Sequence, residues 1–165
     1  MQNLEVLAPA GDEERFGAAL NYGADAIYLG RKQFGMRSSP GNFDFEQLVK
    51  AVSAAHERGV KVYLTCNTLP RNNEIPMFEK FLEEAVESGV DALIVADVGL
   101  LMMIKRLAPD IEIHISTQTG IVNYATAREF YNMGAKRVVL ARELSLEEIA
   151  EIRAKTDPDL DIEVF

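Results

Sequence analysis

The sequence has very few of the residues from which many catalytic and metal centres are built. Among 165 residues there are one cysteine, two histidines and no tryptophan. A lone cysteine excludes a disulfide framework and a cysteine-rich metal site within this chain, and it is typical of the reducing cytoplasm. We therefore expect a cytoplasmic protein in which this segment binds no metal.

Long apolar runs and clusters of basic residues are missing as well. Charges or glycines interrupt every hydrophobic stretch, which excludes a membrane-spanning helix, and the first residues lack the pattern of a secretory signal. Lysine and arginine number 17 against 26 aspartates and glutamates, so the net charge is −9. This negative charge disfavours a surface that binds along nucleic-acid phosphates. From the interrupted hydrophobic stretches we also expect no membrane partner.

One short pattern is repeated along the chain. A helix-like segment that ends in glycine is followed by a short apolar run, as in YGADAIYLG, RGVKVYLTC, SGVDALIVAD and MGAKRVVLAR. Most of these runs are nearly continuous, as in parallel strands that are buried on both faces. IEIHIS alternates instead, so its Glu112, His114 and Ser116 share one face. The repeated unit is therefore a strand followed by a helix.

This repeat predicts an α/β fold, because parallel strands need crossover connections and helices supply them. A doubly wound sheet and a (β/α) barrel both fit, but the first strand leads into APAGDEE without the GxGxxG of nucleotide-binding sheets. We favour a TIM-barrel-like fold of about six to seven parallel strands with helices outside. A closed barrel takes about 250 residues, so residues 1–165 are expected to form one incomplete barrel segment. Its open edges predict self-association or coverage by missing residues.

Polar residues follow most of the predicted strands, at the ends where such barrels carry their active sites. Asp12, Asp97 and Asn123 are also well placed as helix N-caps, which explains them without any function. His114 has either a packing or a functional role, and Cys66 suits a small buried hydrophobe. HExxH, CxxC, GxSxG and P-loop motifs are absent, so the residues alone name no reaction.

Several segments, in order along the chain, resemble the N-terminal region of the collagenase-like peptidases, the thirty-second family among peptidases of unknown catalytic type. They are LEVLAPAGD, YGADAIYLG, GMRSSPGNF, VYLTCNT, ALIVAD, IHISTQTGIVN and RVVLARELSLEEI. The resemblance implies a barrel domain of a longer protein, which continues after Phe165 with cysteines that bind an iron–sulfur cluster.

This resemblance implies that the parent protein is a peptidase, a hydrolase. One alternative is cluster-dependent hydroxylation of tRNA, rRNA or a quinone precursor by the full-length protein. Another is that the segment alone is a non-catalytic scaffold. The expected substrate is accordingly a protein, an RNA or a quinone precursor.

The resemblance also implies the site residues. The expected catalytic residues are His114, Ser116, Asp97 and Glu143, with Glu143 or Asp97 as general base. Arginines are expected to bind an anionic group and amides a planar substrate. The expected substrate-binding residues are Arg37, Asn42, Asn67, Asn72, Gln118, Asn123 and Arg142. Arg71 stands where the family often has histidine, which argues against proton transfer at that position.

Overall fold

A computed structural model describes residues 4–36 and 41–165, in which strands and helices alternate along the chain. The strands are β1 (Leu7–Ala10), β2 (Ala26–Gly30), β3 (Lys61–Cys66), β4 (Ala92–Val95), β5 (Glu112–Ile115), β6 (Arg137–Val139) and β7 (Asp161–Glu163). The helices are α1 (Glu13–Asn21), α2 (Phe45–His56), α3 (Ile75–Ser88), α4 (Val98–Leu107), α5 (Tyr124–Asn132) and α6 (Leu146–Lys155). A 3₁₀ turn at Thr117–Thr119 follows β5.

The chain divides into two compact units, Met1–Leu93 and Ile94–Phe165. In the first unit β1 pairs with β2 and β2 with β3, all parallel, and in the second β5, β6 and β7 pair in the same way. The strand order of the seven-stranded sheet is the chain order. A doubly wound sheet reverses its order at a switch point, which is absent from this order. The predicted α/β fold, an incomplete TIM-barrel-like array of parallel strands, is confirmed.

The helix boundaries follow from local capping. Asp44 accepts a hydrogen bond from the backbone N–H of Gln47, whose side chain accepts one from the N–H of Asp44. Ser145 and Glu148 form the same capping box at α6, and both boxes are predicted by the sequence. Gly89 ends α3 with φ +78°, a left-handed conformation that glycine adopts without steric cost.

In three of the four repeated phrases, the side chain of the second residue after the glycine makes a hydrogen bond to a neighbouring segment. In YGADAIYLG the Asp25 carboxylate accepts a hydrogen bond from the Val6 N–H at 2.8 Å. In SGVDALIVAD the Asp91 carboxylate accepts one from the Val62 N–H at 2.7 Å. In MGAKRVVLAR the equivalent Lys136 donates to the Asp159 carbonyl at 2.8 Å. In these three phrases, the side chain at this position therefore connects the start of one strand to a neighbouring segment.

The two faces of β1–β3 differ in burial. Ile27, Leu29, Val62 and Leu64 on one face are 0–1% exposed. The opposite face carries, side by side in the strand register, Pro9, Tyr28, Gly30, Tyr63 and Thr65. Pro9 is exposed and Tyr28, Gly30 and Thr65 are half-buried, while Tyr63 is buried. We call this second face the open face of β1–β3.

The α-helices of the described residues have 9 to 14 residues, fewer than the roughly 20 that span a lipid bilayer. None of those within 4–36 and 41–165 has both the length and the apolar character needed to cross a membrane.

Candidate functional site

Two predicted substrate-binding residues of the first unit hold a loop in place. The described parts of this loop are residues 31–36 and 41–44, between β2 and α2. The Asn42 amide is buried and donates to the Arg31 carbonyl at 3.0 Å, and the Asn67 side chain accepts from the Met36 N–H at 3.1 Å. The Thr68 N–H donates to the Phe34 carbonyl at 3.2 Å. These bonds fix the loop against the end of β3, so both amides have a structural role whatever they bind.

An aromatic cluster anchors the same loop. Phe34 has φ +59°, a left-handed conformation that is uncommon outside glycine. Its ring lies 5.3 Å from that of Phe78 and 5.1 Å from that of Phe81, both on α3. Edge-on and tilted contacts of this kind stabilise an aromatic cluster beyond the area that is buried. The packing against α3 therefore holds a backbone conformation that the local sequence disfavours.

The cations near this loop differ in their environment. Arg31 is directed to α3, where it donates to the Glu84 carboxylate at 2.5 Å, and its guanidinium lies 5.9 and 5.7 Å from the ring centroids of Phe45 and Phe81. It therefore has a structural role. Arg37, predicted to bind an anionic group, lies outside the described residues. Asn72, a further predicted contact, is exposed in the turn that precedes α3.

A polar face lies on the three paired strands of the second unit. His114 is level with Arg137 and Arg137 with Asp161 in the parallel register, so their side chains share one face. With period two this face also carries Glu112, Ser116 and Glu163. We call these six residues the polar face of β5–β7. The expectation that Glu112, His114 and Ser116 share a face agrees with this register.

Three residues of the polar face of β5–β7 are buried, namely His114, Ser116 and Arg137, and carboxylates of the same face lie beside two of them. His114 is 0% exposed and its Nε2 lies 3.4 Å from a Glu112 carboxylate oxygen. Arg137 is 8% exposed, with guanidinium nitrogens 3.5 Å from Asp161 and 3.6 Å from Glu163. Buried charges persist in proteins when they are paired. The Arg137 cation therefore lies near the carboxylates of Asp161 and Glu163, on the same face as the buried imidazole of His114.

Arg137 and Glu163 were not among the residues predicted from the sequence. RVVLAR was interpreted as a continuous hydrophobic strand, and its first residue was assigned no role. The available signal was alternation, because Asp161 and Glu163 flank an isoleucine in the following strand as Glu112 and His114 do in β5. Polar alternation in neighbouring parallel strands indicates a shared polar face.

Two further predicted residues are helix caps. The Asp97 carboxylate accepts a hydrogen bond from the Leu100 N–H at 2.9 Å, and the Asn123 side chain accepts one from the Thr126 N–H at 2.9 Å. The capping alternative is therefore confirmed for both, and for Asp12, which accepts from the Arg15 N–H. Ser116 accepts from the Gln118 N–H at 3.3 Å at the start of the 3₁₀ turn.

Three predicted residues remain accessible at the strand ends of the second unit. Gln118, Arg142 and Glu143 are exposed. The guanidinium carbon of Arg142 lies 4.7 Å from the centroid of the Phe165 ring, a distance typical of a cation–π contact. These three side chains can contact a substrate without breaking a helix cap or a buried ion pair.

The one cysteine has no features of a nucleophile. Cys66 is fully buried at the end of β3, and burial raises the pKa of its thiol because the thiolate is poorly solvated there. The interpretation of Cys66 as a small buried hydrophobe is supported.

Cys66 is therefore expected to resist alkylation while the protein is folded. Incubation with iodoacetamide near neutral pH should add no label to the native chain, whereas the same incubation in urea should add one, because unfolding exposes the thiol and returns its pKa to the ordinary range. Intact-mass spectrometry measures both. Rapid labelling of the native chain would contradict the buried environment.

The fold and the strand-end residues define a parallel β/α-barrel domain. Each of its two units carries polar groups at its strand ends. The chain belongs to peptidase family U32, whose family model matches residues 11–165. A U32 peptidase of known structure superimposes with a TM-score of 0.81 at 17% identity, covering 98% of this chain and 68% of the other. At that identity the superposition supports the fold alone.

Relatives of this chain carry two kinds of name. The tRNA hydroxylation protein P of Escherichia coli is 42% identical over 161 residues, which is 98% of this chain and 35% of that protein. The 23S rRNA 5-hydroxycytidine C2501 synthase of the same organism is 36% identical over 158 residues, 96% of this chain and 24% of the other. An uncharacterized protease of Methanocaldococcus jannaschii is 40% identical over 168 residues, 100% of this chain and 40% of the other. The chain thus spans less than half the length of these relatives.

Proposed function

We propose that this chain is the barrel portion of a protein that takes part in the hydroxylation of RNA, with a base of tRNA or rRNA as the target. The observation that carries the proposal is 42% identity over nearly the whole chain to a tRNA hydroxylation protein, together with 36% identity to an rRNA hydroxycytidine synthase. The hydroxylation alternative is therefore better supported than the peptidase interpretation that the sequence first favoured.

The chemistry of the chain agrees with this preference. A cysteine peptidase needs an accessible thiolate, and Cys66 is buried with a raised pKa. His56, one of the two histidines, lies at the end of α2 and contacts the Asp91 carboxylate at 3.0 Å, at the N-terminal end of a strand and away from the strand ends that carry barrel active sites. Neither residue supplies peptidase machinery.

The acidic charge constrains how RNA binds. A net charge of −9 is poorly suited to a segment that tracks phosphates over many nucleotides. Recognition of a single unpaired base needs few cations, since bases are bound by stacking and by hydrogen bonds to their edges. We therefore assign base recognition to this segment and leave most phosphate contacts to the remainder of the longer protein.

Four predicted residues are suited to contact the substrate. In the second unit Gln118, Arg142 and Glu143 are exposed at strand ends, and in the first unit, taken by itself, Asn72 is exposed in the turn before α3. Amide groups pair with the donor and acceptor pattern of a base edge, and Arg142 provides a cation for a neighbouring phosphate. Glu143 is the carboxylate among them that is able to accept a proton.

The iron–sulfur cluster implied by the resemblance does not fit the residues of this chain. Within 4–36 and 41–165 no group of three or more His, Cys, Asp or Glu residues is placed to hold a metal ion. The one cysteine is buried. We therefore place any cluster ligands in the part of the longer relatives that this chain does not span, and we derive no reaction step from a cluster.

The proposal is tested by deleting the gene that encodes the parent protein and analysing nucleosides from purified tRNA and rRNA by mass spectrometry. We expect a hydroxylated nucleoside to disappear on deletion and to return on expression of the intact protein. An unchanged nucleoside profile would contradict the proposal. Gelatin cleavage by the purified protein, with no change in RNA, would instead support the peptidase interpretation.

A further inference from the structure

Three tyrosines of the first unit lie in three different environments. Tyr22 follows α1 and is 91% exposed, whereas Tyr63 is 0% exposed at the centre of β3. Tyr28, in the middle of β2, is half-buried and lies between two fully buried neighbours, Ile27 and Leu29. Only an interior side chain that remains partly accessible is able to contact a ligand within the sheet.

The structure separates the roles of Tyr28 and Tyr63, which are paired in the parallel register on the open face of β1–β3. The Tyr63 hydroxyl donates to the Glu5 carboxylate at 2.9 Å, so it is occupied. The Tyr28 hydroxyl has no hydrogen-bond partner within residues 4–36 and 41–165. Because a phenol both donates and accepts hydrogen bonds, this hydroxyl is available to pair with a ligand.

Two polar groups of the predicted strand-end region lie next to Tyr28 along β2. The next residue of β2 on the same face is Gly30, whose missing side chain leaves room for Thr65 and Asn42. A Cβ at Gly30 would lie 2.9 Å from the Thr65 hydroxyl and 3.5 Å from the Asn42 amide, so only glycine leaves these groups undisturbed. Two residues of a strand span about 7 Å. Tyr28 therefore lies one layer below the strand-end group that includes Asn42.

We propose that Tyr28 contacts the target base, its hydroxyl forming a hydrogen bond with the polar edge of the base. This inference rests on the proposed function in RNA hydroxylation. A phenol both donates and accepts hydrogen bonds, and its ring provides an apolar surface for a planar heterocycle. Proteins bind the unpaired bases of RNA in this way, through aromatic side chains and hydrogen bonds to the base edge. Tyr28 is then the residue of this face that contacts the base, whereas Tyr63, whose hydroxyl is bonded to Glu5, has a structural role.

The three tyrosines give a matched set of variants in the full-length protein. Tyr28→Phe is expected to lower kcat/KM for RNA hydroxylation roughly tenfold or more, because a base edge is left without a partner, and to leave the unfolding midpoint unchanged. Tyr63→Phe should lower the unfolding midpoint and leave kcat/KM of the folded protein unchanged. Tyr22→Phe should change neither. Full activity of Tyr28→Phe would overturn the inference.

A chemical footprint tests the same contact without relying on activity. Tetranitromethane nitrates accessible tyrosines, and peptide mass spectrometry locates the product. We expect substrate RNA to protect Tyr28 and not Tyr22, with Tyr63 unmodified throughout. Equal nitration of Tyr28 with and without RNA overturns the inference. If the intact protein hydroxylates no RNA, the proposed function fails, and the footprint still decides the contact.

Discussion

Replacement of Arg137 by methionine is expected to lower the free energy of unfolding by about 3 kcal/mol, because it removes the cation from a largely buried ion-pair group. The Arg137 side chain is 9% exposed, and its guanidinium lies 3.6 Å from Glu163, which is 14% exposed. Without the guanidinium, the Glu163 carboxylate stays poorly hydrated beside Asp161. Asp161 is 47% exposed and contributes less, since water screens its charge. Urea unfolding followed by circular dichroism measures the change.

Two control variants separate the ion pair from general effects of losing an arginine. Arg128 is exposed on α5, and Arg128→Met is expected to change stability by no more than about 0.5 kcal/mol. Adding Glu163→Gln to Arg137→Met should recover part of the loss, because the neutral amide needs no cation nearby. Equal losses at Arg128 and Arg137 would show that the ion pairs contribute nothing.

Replacement of Phe78 by alanine is expected to cost about 3–5 kcal/mol of folding free energy, the range observed when a buried phenylalanine is truncated. Phe78 is 0% exposed, and its ring lies 5.3 Å from Phe34 and 5.8 Å from Phe81. Loss of the Phe78 ring also removes the contact that holds Phe34 at φ +59°. The loop after β2 should therefore lose its fixed conformation together with the lost stability.

Hydrogen exchange detects the second effect. The Met36 and Thr68 amides donate to the Asn67 side chain and the Phe34 carbonyl, so both should exchange faster in Phe78→Ala under native conditions. Met77, the preceding residue of α3, is 50% exposed, and Met77→Ala provides the control with little expected change. Unchanged exchange at both amides in Phe78→Ala would show that the loop is held independently of the aromatic cluster.

Local patterns predicted the elements of this protein well. Capping boxes at Asp44 and Ser145 and the buried phenylalanines of α3 follow from contacts between residues three or four apart. The seventh of the expected six to seven strands is present as Asp161–Glu163. The choice of a barrel over a doubly wound sheet was also correct, because the first strand carries no nucleotide-binding glycine motif.

The candidate site was predicted less completely. Position at a strand end selected polar residues, but it did not separate caps such as Asp97 from accessible side chains such as Arg142. Asn42 and Asn67 have partners in a loop that folds back over β3, and no local pattern shows that return. Arg137 was overlooked because its carboxylate partners lie on the next strand, 24 residues away in the case of Asp161.

The sequence by itself determined the order of strands and helices, their caps and the family to which the chain belongs. These depend on hydrophobic period, on contacts within one helical turn and on motifs in a fixed order. The tertiary structure alone decided that Arg137 pairs with Asp161 and Glu163, and that the Tyr63 hydroxyl, unlike that of Tyr28, has a hydrogen-bond partner among the described residues. The physical reason is register, because side chains distant in the chain become neighbours only when parallel strands align.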